Sequence, residues 1–211
     1  MALVVFTGGA RSGKSALAQD LARVRRLDGA RVVVVVFGDG SRDREMARRI
    51  ERHRNDRPAD LHVVEASDSQ SWLESIADGT VVLVDCLGTL VTRALDEAMS
   101  AGDIDVATSA LCDVDELSES LETDVETRVR SVLDALIARL GDTIVVTNEV
   151  GDGVVPAFAS GRLFRDVLGR ANRRLVQAAD AAYLVVCGRA IELSALPVAA
   201  SWPEDELSRD A

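Results

Sequence analysis

The stretch Gly8-Gly9-Ala10-Arg11-Ser12-Gly13-Lys14-Ser15 holds residue types that bind a triphosphate, at the spacing the task requires. It fits G-x-x-x-x-G-K-[ST] at every fixed position. The glycines let the backbone turn tightly, so that successive N–H groups point at phosphate oxygens. A helix starting near Lys14 adds the positive end of its dipole. In that arrangement Lys14 reaches the β- and γ-phosphates and the Ser15 hydroxyl holds Mg²⁺. Farther along, Val81-Val82-Leu83-Val84-Asp85 is an apolar run that ends in a carboxylate. That is the form of a strand whose terminal acid stands beside such a loop and binds Mg²⁺ directly or through water. Many buried strands end in Asp, so Asp85 gains its meaning from the loop upstream. The expected ligand is a nucleoside triphosphate with Mg²⁺.

A second centre of chemistry is His53, in Glu51-Arg52-His53-Arg54-Asn55-Asp56-Arg57-Pro58. An isolated histidine is most often a surface or half-buried residue with no chemical role. Here the surrounding guanidinium groups depress the imidazole pKa by like-charge repulsion and favour its neutral, nucleophilic form. The same cations attract a phosphate and stabilise charge developing on it. Such an imidazole is suited to attack an α-phosphorus and form a nucleotidyl-histidine. His62, the other histidine, has no such company.

These residues need a scaffold, and the sequence predicts one. The apolar Leu3-Val4-Val5-Phe6 precedes the loop as a strand, and Ala16 to Arg26 follows as a helix. Arg31 to Phe37 contains five consecutive valines, the signature of a parallel strand buried on both faces. Asp43 to Asn55 has helical composition, with Met46, Ile50 and His53 on one side. Leu61 to Glu65 reads as a short strand, Ser69 to Ala77 as a short helix, and Val81 to Asp85 as a buried strand. Residues 96–127 are acidic and read as exposed helix or loop flanking a long helix over roughly 114–140; an acidic run is usually a solvated face. Thr143 to Thr147 is a further buried strand, and residues 148–156 form a loop at its C-terminal end, where open α/β sheets place ligands. Gly161 to Ala179 reads as an arginine-rich helix. Ala182 to Cys187 and Ala190 to Leu193 read as strands that pair across a Cys187-Gly188-Arg189 turn. Alternating helices and apolar strands imply an α/β fold with a mostly parallel central sheet and helices on both sides, and together with the phosphate loop the expected fold class is a P-loop NTPase (RecA-like) three-layer sandwich. One domain over 1–195 and a loosely held tail over 196–211 are expected.

Composition narrows the function classes. The chain has 211 residues, 47% of them hydrophobic but only 3% aromatic, so Val, Leu, Ala and Ile must build the core. A net charge of −11 argues against a nucleic-acid surface, which needs a basic field. No run approaches 18 uninterrupted apolar residues, so no membrane span is expected. The short N-terminal apolar run leads directly into the loop, unlike a secretory signal. Cys86, Cys112 and Cys187 are scattered without metal-ligand spacing, and reduced thiols in a cytoplasmic protein are expected.

The motifs in this order resemble the bifunctional adenosylcobinamide kinase/adenosylcobinamide-phosphate guanylyltransferases of cobalamin biosynthesis. The resemblance runs from about residue 2 to residue 193. It is carried by Thr7 to Ser15, Glu45 to Ile50 leading to His53, Arg57-Pro58, Asp85 to Thr92, Val146 to Gly151 through Pro156, and Phe164-Arg165-Asp166. It implies phosphorylation of the aminopropanol hydroxyl of adenosylcobinamide with ATP or GTP. It also implies transfer of GMP from GTP to adenosylcobinamide phosphate through a guanylyl-histidine, with pyrophosphate released. By position His53 is then the guanylylated residue, and Arg54, Asn55, Asp56 and Arg57 form a nucleotide-contacting segment. Glu65 falls where the family places an acidic guanine contact, and Asp85 stands where it usually has Glu near the metal. After the second strand, where the family usually has an Ala-Thr-Ala-like stretch, this chain departs from the pattern with Phe37-Gly38-Asp39-Gly40-Ser41; by position Gly38 and Asp39 are the candidate nucleotide contacts that the resemblance implies there. A homotrimer is implied by the resemblance alone. Two other readings of the residues stand beside it: a single-function P-loop small-molecule kinase without a covalent nucleotide, and a nucleotide-dependent switch or ATPase module.

Overall fold

The computed structural model describes residues 1–38, 61–101 and 118–198. Strand β1 (Leu3–Thr7) leads into the phosphate loop and helix α1 (Lys14–Leu27). Strands β2 (Val32–Phe37) and β3 (His62–Ala66) follow, then a 3-10 turn over Ser71–Ser75 and strand β4 (Val81–Asp85). Helices α2 (Leu87–Ala101) and α3 (Glu119–Ala138) come next, then β5 (Thr143–Val146) and helix α4 (Ala159–Ala178). Strands β6 (Ala181–Val186) and β7 (Arg189–Glu192) complete the described elements.

All seven strands form one sheet in the order β3-β2-β4-β5-β1-β6-β7. Every pairing is parallel except β6 with β7, which is the hairpin expected from sequence. The valine run of β2 explains how both faces are filled. Successive side chains of a strand point to opposite faces. Val33, Val35 and Phe37 therefore join one core, beneath α2, α3 and α4, while Val32, Val34 and Val36 join the other, beneath α1. On the α1 side Ala18 and Ala22 are fully buried, and their small side chains let the helix lie close against the sheet. The result is the three-layer α/β arrangement the sequence predicts.

Two local expectations differ from what is observed. Ser69 to Ala77 contains only a 3-10 turn, capped by Asp68 through the backbone N–H groups of Gln70 and Ser71 at 2.8 and 2.6 Å. Helix α2 begins in Leu87 and reaches into the acidic region read as exposed. Its Leu87, Leu90, Val91, Ala94, Leu95, Ala98 and Met99 are all buried, one apolar face recurring at helical period. The acidic residues of that stretch occupy its other face. The long helix near 114–140 is α3, whose N-cap Ser118 accepts a hydrogen bond from Leu121 N–H at 3.3 Å. Among the described residues no helix is long and apolar enough to cross a membrane.

Candidate active site

Strand β5 lies between β1 and β4. Its register sets Val146 beside both Phe6 and Asp85, so the C-terminal ends of three neighbouring strands form one ledge. The ledge carries the phosphate loop on β1, Thr147-Asn148-Glu149 after β5, and Asp85 on β4. Ligands of open α/β sheets bind at this end.

The loop has the geometry its glycines predict. Gly8 has φ +149°, and a Cβ there would stand 2.4 Å from the Val185 carbonyl oxygen, so no other residue fits. Gly13 is left-handed at φ +99° and forms the N-cap of α1 without any side-chain cap. Arg11, exposed at the loop's outer turn, is also left-handed at φ +59°. The first N–H groups of α1 have no intrahelical acceptor, and no acidic residue in the first turn offsets the helix dipole. The end of α1 is thus built for an anion.

Lys14 is buried and donates to the Gly9 carbonyl oxygen at 2.9 Å, which holds its ammonium against the loop. The Ser15 hydroxyl donates to Asp85 Oδ1 at 3.1 Å across the ledge. Native structures pair nearly all buried polar atoms. Among the described residues four buried side-chain atoms have no partner: Arg174 Nε lies on α4, and the other three, Thr7 Oγ1, Ser12 Oγ and Asp85 Oδ2, belong to the loop or the strand ends around it. Polar atoms held this way suit a bound phosphate and a cation. Ser15 and Asp85 supply hard oxygen donors of the kind Mg²⁺ takes. No cluster of three metal-ligating side chains occurs among the described residues.

Cys86 follows Asp85, and burial pushes its thiol pKa up, with the Asp85 charge adding to the effect. The thiol is therefore protonated at neutral pH and a poor nucleophile.

A hydrogen-bond relay ties the ledge together. Buried Thr147 donates through Oγ1 to Asn172 Oδ1 at 2.6 Å, and Asn172 Nδ2 donates to the Asn148 carbonyl oxygen at 2.9 Å. Glu149 N–H then donates to the Gly8 carbonyl oxygen at 3.0 Å, and the Glu149 carboxylate accepts from Gly151 N–H at 2.7 Å. On the other flank Gly188 N–H, in the β6–β7 turn, donates to the Ser12 carbonyl oxygen at 2.8 Å. The loop is held from both sides. Asn172 was not legible as a site residue, because a lone Asn in an arginine-rich helix carries no one-dimensional signal.

The remaining sequence-derived candidates fall elsewhere. Gly38 is exposed at the end of β2, and Glu65 is exposed near the end of β3, the sheet's edge strand. Three strand steps separate β2 from β1 and four separate β3 from β1. At about 4.8 Å per step this is roughly 14 and 19 Å. Asp39, His53, Arg54, Asn55, Asp56 and Arg57 lie outside the described residues.

A family model described as cobinamide kinase / cobinamide phosphate guanyltransferase matches residues 4–193. The chain is 34% identical over 194 residues to the bifunctional adenosylcobalamin biosynthesis protein CobU of Escherichia coli K12, covering 90% of this chain and 99% of that one. It is 32% identical to CobU of Salmonella typhimurium LT2, covering 90% of this chain and 99% of that protein. It is also 32% identical to the bifunctional protein CobP of Pseudomonas aeruginosa PAO1, covering 92% of this chain and 98% of the relative. A KaiC-like protein from Pyrococcus horikoshii OT3 superposes with TM-score 0.44 at 16% identity, covering 87% of this chain and 71% of that chain.

Proposed function

The chain belongs to the cobinamide kinase / cobinamide phosphate guanyltransferase family, and from that premise we propose how its residues divide the two reactions. The observation that carries the proposal is the ledge itself: a phosphate loop with Lys14 held against it, bridged to Asp85 through Ser15.

In the kinase reaction the loop N–H groups and Lys14 bind the β- and γ-phosphates of ATP or GTP. Phosphoryl transfer asks the protein mainly to position the reactants and stabilise charge. The loop does both for the terminal phosphate, and the aminopropanol hydroxyl of adenosylcobinamide is the acceptor. Ser15 and Asp85 would hold Mg²⁺, which neutralises phosphate charge when bound.

In the guanylyltransferase reaction His53 attacks the α-phosphorus of GTP and pyrophosphate leaves, giving a guanylyl-histidine. The phosphate of adenosylcobinamide phosphate then displaces the histidine and takes the GMP, yielding adenosylcobinamide-GDP. Neighbouring Arg54 and Arg57 stabilise the charge on the reacting phosphate, with Asn55 and Asp56 completing the contact segment. Glu65 accepts hydrogen bonds from guanine N1–H and N2–H, a pairing of donors and acceptor that adenine cannot offer. The roughly 19 Å between β1 and β3 is of the order of an extended nucleoside triphosphate. One GTP could therefore lie across the strand ends, phosphate tail at Lys14 and base toward Glu65. Gly38, at the end of β2, would lie along that path, and Asp39 follows it in sequence as a further candidate contact. A cytoplasmic location and a homotrimeric assembly complete the reading.

Incubation with α-labelled GTP and Mg²⁺ tests it. Acid-labile, base-stable label should appear on the protein and be absent from His53→Ala. That variant should still phosphorylate adenosylcobinamide at a rate within a few-fold of wild type. Equal labelling of wild type and variant would remove His53 from the mechanism; no label on either would leave a single-function kinase.

A further inference from the structure

We propose that the loop after β5 is the docking surface for the apolar part of the corrinoid acceptor. The proposal rests on the kinase reading above and adds the site for its second substrate.

The loop leaves the ledge at Glu149, whose N–H is bonded to Gly8, and runs to Phe158, the N-cap of α4. Its apolar residues divide into two sets. Val150, and Phe164 in the first turns of α4, pack against the main core. Val154, Val155 and Phe158 do the opposite and are 95%, 65% and 50% exposed. The segment is therefore anchored by apolar contacts of its own and still presents three large apolar side chains within five positions. Apolar side chains concentrated beside a reaction centre mark a binding surface more often than a scattered one does.

The loop is also held in shape. Arg162 donates to the carbonyl oxygens of Pro156 and Ala157 at 3.3 and 2.7 Å, and Arg165 donates to that of Gly151. A Cβ on Gly161 would come within 2.9 Å of Pro156, so α4 and the loop meet closely there. These contacts fix the apolar side chains outward before anything binds, which lowers the ordering cost of binding.

The occupant follows from position and chemistry. The triphosphate is anionic and is accounted for by the loop amides, Lys14 and Ser15. The other substrate must bring a hydroxyl to the γ-phosphate at Gly8–Ser15, so its bulk must lie just beyond the ledge. The β5 loop is bonded to the phosphate loop and borders that space. A corrinoid has a broad apolar ring with methyl groups and a fringe of carboxamides. Val154, Val155 and Phe158 suit the ring, and the exposed Asp152 can accept from a carboxamide.

Steady-state kinetics on the full chain, varying adenosylcobinamide and ATP separately, test this. The triple variant Val154→Ser, Val155→Ser, Phe158→Ser should raise KM for adenosylcobinamide about tenfold or more. Val154→Ser alone should raise it about twofold. Affinity for a fluorescent GTP analogue and the oligomeric state by sedimentation should stay as in wild type. Leu27→Ser, 88% exposed at the far end of α1, is the control and should leave the corrinoid KM unchanged. An unchanged corrinoid KM in the triple variant overturns the proposal. So does a weakened nucleotide affinity in its place, which would make the loop a base site. A changed oligomeric state with the corrinoid KM intact overturns it too, since the loop would then be a subunit contact. A wild-type protein that does not phosphorylate adenosylcobinamide at all defeats the kinase reading itself, a result separable from the others.

Discussion

The centre of the sheet and its β2–β3 side are built on different terms. Around β1, β5 and β4 the side chains of Ser12, Lys14, Ser15, Asp85 and Thr147 are buried or half-buried, and the backbone there is bonded from strand end to strand end. Gly8 is held by Glu149, Ser12 by Gly188, Ser15 by Asp85, and Asn148 by Asn172. Around β2 and β3 the candidates Gly38 and Glu65 stand exposed at the margin of the fold. The first region is prearranged, so a substitution there disturbs many partners at once. The second presents groups to solvent, so a substitution there should disturb the core less. Phosphate binding is common to every nucleoside triphosphate and tolerates a rigid cradle.

The contrast can be broken most directly at Lys14. Lys14→Ala should remove triphosphate binding and lower both activities by on the order of a thousandfold. Full guanylyl transfer in that variant would mean that the two reactions do not share the phosphate loop. Asn172→Ala comes next. It strips the buried Thr147 hydroxyl and the Asn148 carbonyl of a partner, and unfolding by urea should show a loss of about 1–3 kcal/mol. If Asn172 positions the ledge, kcat for phosphorylation should fall as well and be partly restored by Asn172→Gln. A variant less stable but equally active would reduce the relay to scaffolding.

On the peripheral side Glu65→Gln should weaken GTP binding about tenfold and leave ATP binding as it was, by isothermal titration. Equal loss for both nucleotides would remove Glu65 from base selection. The smallest effect concerns Asp68, just beyond β3. The Ser71 hydroxyl and backbone N–H, with the Gln70 N–H, bring its pKa down from 3.8 to about 2, against a smaller opposing effect of burial. A carboxylate with a depressed folded pKa stabilises the fold above its unfolded value and loses that contribution as pH falls through the folded one. Between about pH 4 and pH 2 wild type should therefore lose stability that Asp68→Asn never had. After solvent screening the difference should be on the order of 1 kcal/mol by chemical denaturation.

How much of this the sequence revealed depends on how local the signal was. The phosphate loop, the valine run, the strand ending in Asp85 and the β6–β7 hairpin each carry their information within a few consecutive residues, and each is present as expected. Helix α2 was obscured because its acidic half suggested exposure. The apolar spacing from Leu87 to Met99 was nonetheless written in the sequence. Strand order is another matter. Nothing in the run Thr143 to Val146 states that it inserts between β1 and β4, because that choice is settled by packing across the whole sheet. The Thr147–Asn172 bond, between residues 25 positions apart, depends on that placement and was beyond reach for the same reason.

The place of β1 in the sheet has a consequence for the order in which the molecule can be assembled. Its hydrogen-bonding partners are β5 and β6, residues 143–146 and 181–186. During synthesis the phosphate loop therefore emerges before both strands that flank it and is finished only after they follow. Until β6 has docked, one edge of β1 is bare, and the Gly188 clasp on Ser12 does not exist. Such long-range pairing is slow to form and exposes strand edges meanwhile. A nascent chain stopped before residue 181 would carry the whole nucleotide motif and still lack one of the two contacts that hold its loop.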